Sequence, residues 1–186
     1  MGKDFRPRLK GKIKKAYENL ITDQQRILVI GDLHEPFCLD GYLDFCKETY
    51  QKHNCNKVIF IGDVIDCHFS SYHESSDGAM GGGDELELSI KKLKRWYKAF
   101  PEADVTLGNH DRIIIRKAQS SNIPSKWIKE FSEVLETPKW NFVTEVYYDG
   151  VRYVHGDKSG KAGKKEAIGV GVVIGGHTAF NVKMHL

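Results

Sequence analysis

Five short runs of this chain share one pattern: apolar, largely β-branched residues that stop at a glycine or a histidine and deliver Asp, Asn or His at once. They read Ile27-Leu-Val-Ile-Gly-Asp32-Leu-His34, Lys57-Val-Ile-Phe-Ile-Gly-Asp63-Val-Ile-Asp66, Val105-Thr-Leu-Gly-Asn109-His110-Asp111, Val151-Arg-Tyr-Val-His155-Gly-Asp157 and Val172-Val-Ile-Gly-Gly-His177. Such runs suit short buried strands. In an α/β sheet, ligands bind in the crevice outside the carboxyl ends of the strands. Five ends carrying oxygen and nitrogen donors are therefore expected to converge on one pocket. An extended backbone would turn Asp32 and His34 to the same side. Taken alone, Asp32 reads as a helix cap and His34 as a loop histidine. Recurrence of the pattern argues for a site.

Helical spacing falls where crossovers between parallel strands should be. Leu39–Tyr50 places Leu39, Leu43, Cys46 and Tyr50 on one face, after the turn at Glu35-Pro36. Asp84 is placed to cap a long helix with a stripe of Leu86, Ile90, Leu93, Tyr97 and Phe100, ended by Pro101. Ala103–Leu107 is the next strand. Arg112–Ala118 and Ser125–Leu135 read as further helices, and Phe142–Tyr148 with Val151–His155 as a hairpin turning at Asp149-Gly150. Lys161–Ile168 reads as a short basic helix and Val170–Ile174 as the last clear strand. The Ser, His and Gly-rich stretch Cys67–Gly83 lacks a phosphate-loop signature and is expected to be a flexible loop at the pocket rim.

A chain of 186 residues is long enough for one domain with a substantial core. We divide it into a basic arm, residues 1–25, and a domain over residues 26–186. Residues 1–15 carry a net charge of +6 against +3 for the whole chain. Such an arm could hold DNA or RNA through phosphates, in a salt-dependent way. No stretch has the length of a membrane span and no signal-peptide pattern opens the chain. The four cysteines form no Cys-x-x-Cys pair, which suits reduced thiols and a cytoplasmic location.

Asp, Asn and His without cysteine suit divalent ions of intermediate hardness. Mn²⁺ is the first expectation, with Fe, Zn, Ni or Mg as others. The donors outnumber the needs of one tetrahedral zinc. Two ions roughly 3.5–4 Å apart, sharing a carboxylate and a water, would use them and could drive in-line attack of a bridging hydroxide at phosphorus. The leaving oxygen would then need a histidine that is not a ligand.

Asp32-Leu-His34, Gly62-Asp63-Val-Ile-Asp66, Gly108-Asn109-His110-Asp111, His155-Gly and Gly176-His177-Thr, in that order and each after a strand, resemble the calcineurin-like metallophosphoesterase superfamily. The resemblance covers about residues 26–179. It implies an α/β fold of two sheets flanked by helices, with the site at the C-terminal ends of strands. It also implies that Asp32 and His34 hold one ion, that Asp63 bridges, and that Asn109, His155 and His177 hold the second. His110 would face the leaving group, oriented by Asp66.

The last family motif is usually Gly-His-x-His, whereas here it reads Gly176-His177-Thr178-Ala179. An under-coordinated first ion and reduced turnover are expected, unless His185 from the alternating segment Phe180–Leu186 substitutes. Protein phosphatases of the superfamily continue the second motif with Arg-Gly and end the third with Glu. Cys67-His68 and Asp111 stand there instead, which favours a phosphodiesterase or nuclease over a phosphomonoesterase, while a non-catalytic scaffold is favoured by Ala179 and opposed by the intact pair His110 and Asp66. His68, His73 and Arg112 are the expected substrate contacts at the rim.

Overall fold

The strands form two sheets, and the computed structural model describes residues 25–70, 80–149, 151–156 and 172–174. β1 (Ile27–Ile30), β2 (Lys57–Phe60), β3 (Ala103–Thr106) and β4 (Trp140–Val143) lie side by side in that order, all parallel. β5 (Val146–Tyr148) runs antiparallel to β6 (Val151–Tyr153), which pairs in parallel with β7 (Val172–Ile174) in the second sheet. Helix α1 (Tyr42–Lys52) links β1 to β2 and α2 (Gly82–Ala99) precedes β3. Helices α3 (Ile113–Ser120) and α4 (Phe131–Val134) lie between β3 and β4. The architecture is the expected α/β arrangement of two sheets with helices.

The stripe on α2 explains where the core sits. Leu93, Trp96 and Phe100 recur at three- and four-residue spacing and are buried. The Phe60 ring lies 4.5 Å from that of Trp140 and 5.9 Å from that of Trp96, so α2 is seated on the middle of the parallel sheet. Removing Trp96 would cost about 3–5 kcal/mol in lost transfer energy and cavity.

At the N-terminal end of the parallel sheet a polar network surrounds the buried Asp104. The Asp104 carboxylate on β3 accepts hydrogen bonds from Asn141 Nδ2 on β4 at 2.8 Å and from the Tyr148 hydroxyl on β5 at 2.5 Å. Lys57 Nζ on β2 stands 3.0 Å away and lies 4.3 Å from the Tyr148 ring centroid. Burial would raise the Asp104 pKa, but Tyr148, Asn141 and Lys57 together hold it below the ordinary carboxylate value. The network ties one sheet to the other.

Four local expectations need correction. The first helix starts at Tyr42 rather than Leu39, because Gly41 takes a left-handed φ of 79° and Leu39 stands 81 % exposed. Ser125–Leu135 is not one helix. It is a 3₁₀ turn at Ser125–Trp127 and the short α4, separated by extended backbone at Ile128 and Glu130. Phe142–Tyr148 is not one arm of a hairpin: its first part belongs to β4 in the parallel sheet and its last to β5 in the other. The long helix takes in Gly82 and Gly83, so Asp84 lies in its first turn rather than at its cap. The basic arm and Lys161–Ile168 lie outside the described residues.

Candidate metal centre

The loops that follow β1, β2 and β3 meet at Asp63. Its carboxylate is fully buried, with Oδ1 accepting the His110 backbone N–H at 2.9 Å. Oδ2 lies 3.2 Å from His155 Nε2 and 3.8 Å from His34 Nε2 and has no hydrogen-bond donor among the described residues. Asp32 Oδ1 is likewise buried without a donor, 4.0 Å from His155 Nδ1. Two triads, His34–Asp63–His110 and Asp32–Asp63–His155, each place candidate ligand atoms within 4.8 Å of one another. Both contain Asp63.

Each imidazole is held by one nitrogen so that the other is presented. His155 Nδ1 lies 2.9 Å from the Ile61 carbonyl oxygen, which can only accept, so Nδ1 carries the proton. Nε2 then offers a lone pair, yet it faces Asn109 Oδ1 at 2.8 Å and the Asp63 carboxylate. With His155 in that neutral tautomer, three acceptor atoms converge, an arrangement that a bound cation satisfies. His34 Nδ1 is paired with Asp66 Oδ1 at 2.6 Å, which leaves Nε2 toward Asp63. This is the carboxylate–histidine arrangement that orients a metal ligand and raises its basicity.

The electrostatics agree with this geometry. The hydrogen bond to Asp66 raises the His34 pKa, against an opposing effect of burial. Burial would lower that of His155, but the adjoining Asp63 carboxylate and the Ile61 carbonyl raise it. Burial would in turn raise Asp63 and Asp66, yet the histidines, His155 and His34 foremost, hold both below the usual carboxylate value. The group is a cage of anionic oxygens and basic nitrogens, and the residues present fit divalent ions.

The backbone achieves this convergence through turns, not through extended ends. Asp32 has φ 50°, His34 φ 46° and Asp63 φ 50°, all in the left-handed region that non-glycine residues seldom occupy. The expectation that an extended segment points Asp32 and His34 the same way is therefore corrected: left-handed backbone at both brings each beside Asp63 while Leu33 between them is buried in the core. Asn109 and His110 also stand in a turn rather than an extended segment. Their side chains still part, Asn109 toward His155 and His110 toward Asp66.

Two glycines permit the close packing. A Cβ at Gly62, whose φ is 93°, would sit 2.5 Å from His155 Nδ1, and one at Gly108 would sit 2.0 Å from Asp63 Oδ1.

Asp66 works through two groups. Its backbone carbonyl lies 2.6 Å from His110 Nδ1, while its carboxylate is 3.4 Å from that nitrogen and closer to His34. The side chain thus serves His34 first and the main chain serves His110. His68, opening a 3₁₀ turn at His68–Ser70, brings Nδ1 to 3.9 Å from Asp66 Oδ2 and is partly exposed. Arg112 directs Nε to the Gly108 carbonyl at 3.0 Å, so it braces the loop that carries Asn109 and His110. His73, His177, Ala179 and His185 lie outside the described residues.

Two residues escaped sequence reasoning. Asp111 is fully buried and accepts backbone N–H groups from Asp63 and Gly108, both at 2.8 Å, from Val64 at 3.1 Å and from Ile65 at 3.3 Å. One carboxylate therefore clamps the loop after β2 to the loop after β3. Burial and the neighbouring Asp63 charge push its pKa up to about 6, against the pull of those donors. Glu35 is also fully buried, receiving Trp96 Nε1 at 2.9 Å, and its carbonyl accepts the Asp66 N–H at 3.0 Å. The sequence signal for both was a carboxylate directly following a histidine of the motifs, Glu35 after His34 and Asp111 after His110, and it does not reveal the partners.

The family model for calcineurin-like phosphoesterases matches residues 25–166. The chain belongs to that family, whose members are metal-dependent phosphoester hydrolases. Comparison with curated proteins and with solved structures returned no match. Among the described residues no helix is long and apolar enough to cross a membrane.

Proposed function

We propose that the chain is a two-metal phosphodiesterase acting on a nucleotide or nucleic-acid phosphodiester. The observation that carries this reading is Asp63 Oδ2, without a donor among the described residues, between the Nε2 atoms of His34 and His155. Asp32, His34, Asp63, Asn109 and His155 would hold the ions, joined by His177, and Mn²⁺ suits this donor set. When bound, such ions would polarise a phosphoryl oxygen, making phosphorus more electrophilic, and would acidify the water that attacks in line.

The chain's own groups do the rest. Because His110 Nδ1 is bonded to a carbonyl oxygen, its proton is fixed there and Nε2 is the atom that delivers a proton to the leaving oxygen. Asp66 positions His110 and His34 together. His68, at the rim beside Asp66, is placed to meet the second ester group, and His73 would join it. Diester specificity is supported by Cys67-His68 and Asp111 standing where the superfamily's protein phosphatases carry Arg-Gly and Glu. The basic arm would add phosphate contacts, and the location would be cytoplasmic.

Hydrolysis of bis-p-nitrophenyl phosphate and of p-nitrophenyl phosphate with Mn²⁺ tests the reading. Preference for the diester is expected, and a clear preference for the monoester would replace it with a phosphatase. Ala179, where a second histidine is usual, favours a second reading as a metal-binding scaffold. Ala179→His should raise turnover, whereas no turnover even in that variant would establish the scaffold.

A further inference from the structure

Between Arg112 and Lys129 the chain carries Arg112, Arg116, Lys117, Lys126 and Lys129 and no acidic residue. This segment directly follows the His110 loop and comprises α3 and the 3₁₀ turn packed against it. Arg116 anchors it to the site, donating from one guanidinium nitrogen to the Asn109 carbonyl at 3.1 Å while the side chain remains exposed. Lys129 pairs with Glu133 four residues on. Trp127 closes the turn at 82 % exposure, next to the exposed Lys126. An indole so exposed leaves apolar area in water unless something covers it.

We propose that α3 and the Ser125–Trp127 turn form a track for a single-stranded nucleic acid, with Trp127 stacking on a base while Arg116 and Lys126 meet phosphates. The choice of occupant rests on charge: an apolar protein partner does not explain a run of five cations without an acid, whereas a polyanion with flat bases matches cations and indole together. α3 is about 12 Å long, enough for a few nucleotides leading toward His110. The inference rests on the phosphodiesterase reading and places its substrate on this face rather than on the basic arm alone.

The three tryptophans make the test specific, since Trp96 and Trp140 are buried and only Trp127 can be quenched by a stacked base. The full chain carrying His110→Asn, loaded with Mn²⁺ so that the probe stays uncut, is titrated with fluorescein-labelled oligothymidylate. Quenching of intrinsic fluorescence is expected, together with weakening of binding by about tenfold in Trp127→Ala, the scale of one base–aromatic stack. Trp127→Phe should restore most of the affinity, and Lys126→Ala should reduce the salt slope by about one.

In the otherwise native chain, Trp127→Ala should leave hydrolysis of bis-p-nitrophenyl phosphate unchanged. Absence of quenching, or equal affinity in Trp127→Ala, would overturn the track. A dimer in sedimentation that Trp127→Ala dissolves would assign the patch to a second copy instead. Oligonucleotide binding as expected without diester hydrolysis would sink the catalytic reading alone, so the two failures remain distinct.

Discussion

The parallel sheet buries a carboxylate at each end, and the two are surrounded in opposite ways. Asp104, at the N-terminal end, meets three donors drawn from β2, β4 and β5. Asp63, at the C-terminal end, has one oxygen bonded and the other facing two imidazole nitrogens with no donor among the described residues. A buried carboxylate without partners is costly, so its persistence in a fold needs a compensating ligand. The first end is finished by folding, while the second is finished by binding. Left-handed Asp32, His34 and Asp63 cluster at the second end, as strained backbone does at functional sites.

The contrast breaks most sharply at Asp63 itself. Asp63→Asn should reduce Mn²⁺-dependent diester hydrolysis by more than about 100-fold, since loss of outer-shell partners alone costs about 10–100-fold. The metal-free fold should be no less stable. Mn²⁺ at a hundred times its dissociation constant should stabilise the native chain by about 2.7 kcal/mol, visible as a rise in Tm that Asp63→Asn lacks. An equal rise in the variant would refute the assignment of Asp63 as the shared ligand.

Next in size is Asp66, which acts on the ions only through His34. Asp66→Asn should weaken Mn²⁺ binding by about 10–100-fold in a calorimetric titration. Unaltered affinity would show that the bond to His34 orients nothing. Asp104→Asn should behave in the converse manner, lowering stability by about 2 kcal/mol in urea with hydrolysis within about twofold of native. A large loss of activity there would show that the two ends are not independent.

The smallest effect is the pH dependence of that last difference. The Asp104 pKa is lowered from 3.8 on folding, so its stabilisation is fully present above that value and fades as pH falls through the lower folded value. Stability curves of native and Asp104→Asn protein should therefore approach each other below about pH 3.8. Curves that stay parallel to lower pH would mean that the charge contributes nothing.

Much of the site was legible because its donors adjoin strand ends, and strand ends are written in local residue patterns. Asp32, His34, Asp63, Asn109 and His155 each follow an apolar run, and the structure gathers all five. Less legible was Ser125–Leu135, whose apolar spacing suits a helix while Ile128 and Glu130 are extended. Phe142–Tyr148 was misleading for a related reason: alternation marks a strand but does not say which sheet receives each half. The Asp111 clamp was hidden too, because its four backbone partners lie in two loops.

Residue order alone thus determined that this chain makes parallel strands ending in oxygen and imidazole donors, since burial of β-branched runs and the breaks at glycine are local matters. Tertiary structure decided that Asp63 would be the common member of two triads, that Asp66 would hold His34 by its side chain and His110 by its carbonyl, and that Asp104 would be satisfied. Those outcomes depend on distances between segments remote in sequence, which the packing of α2 on the sheet and the turns at left-handed residues set.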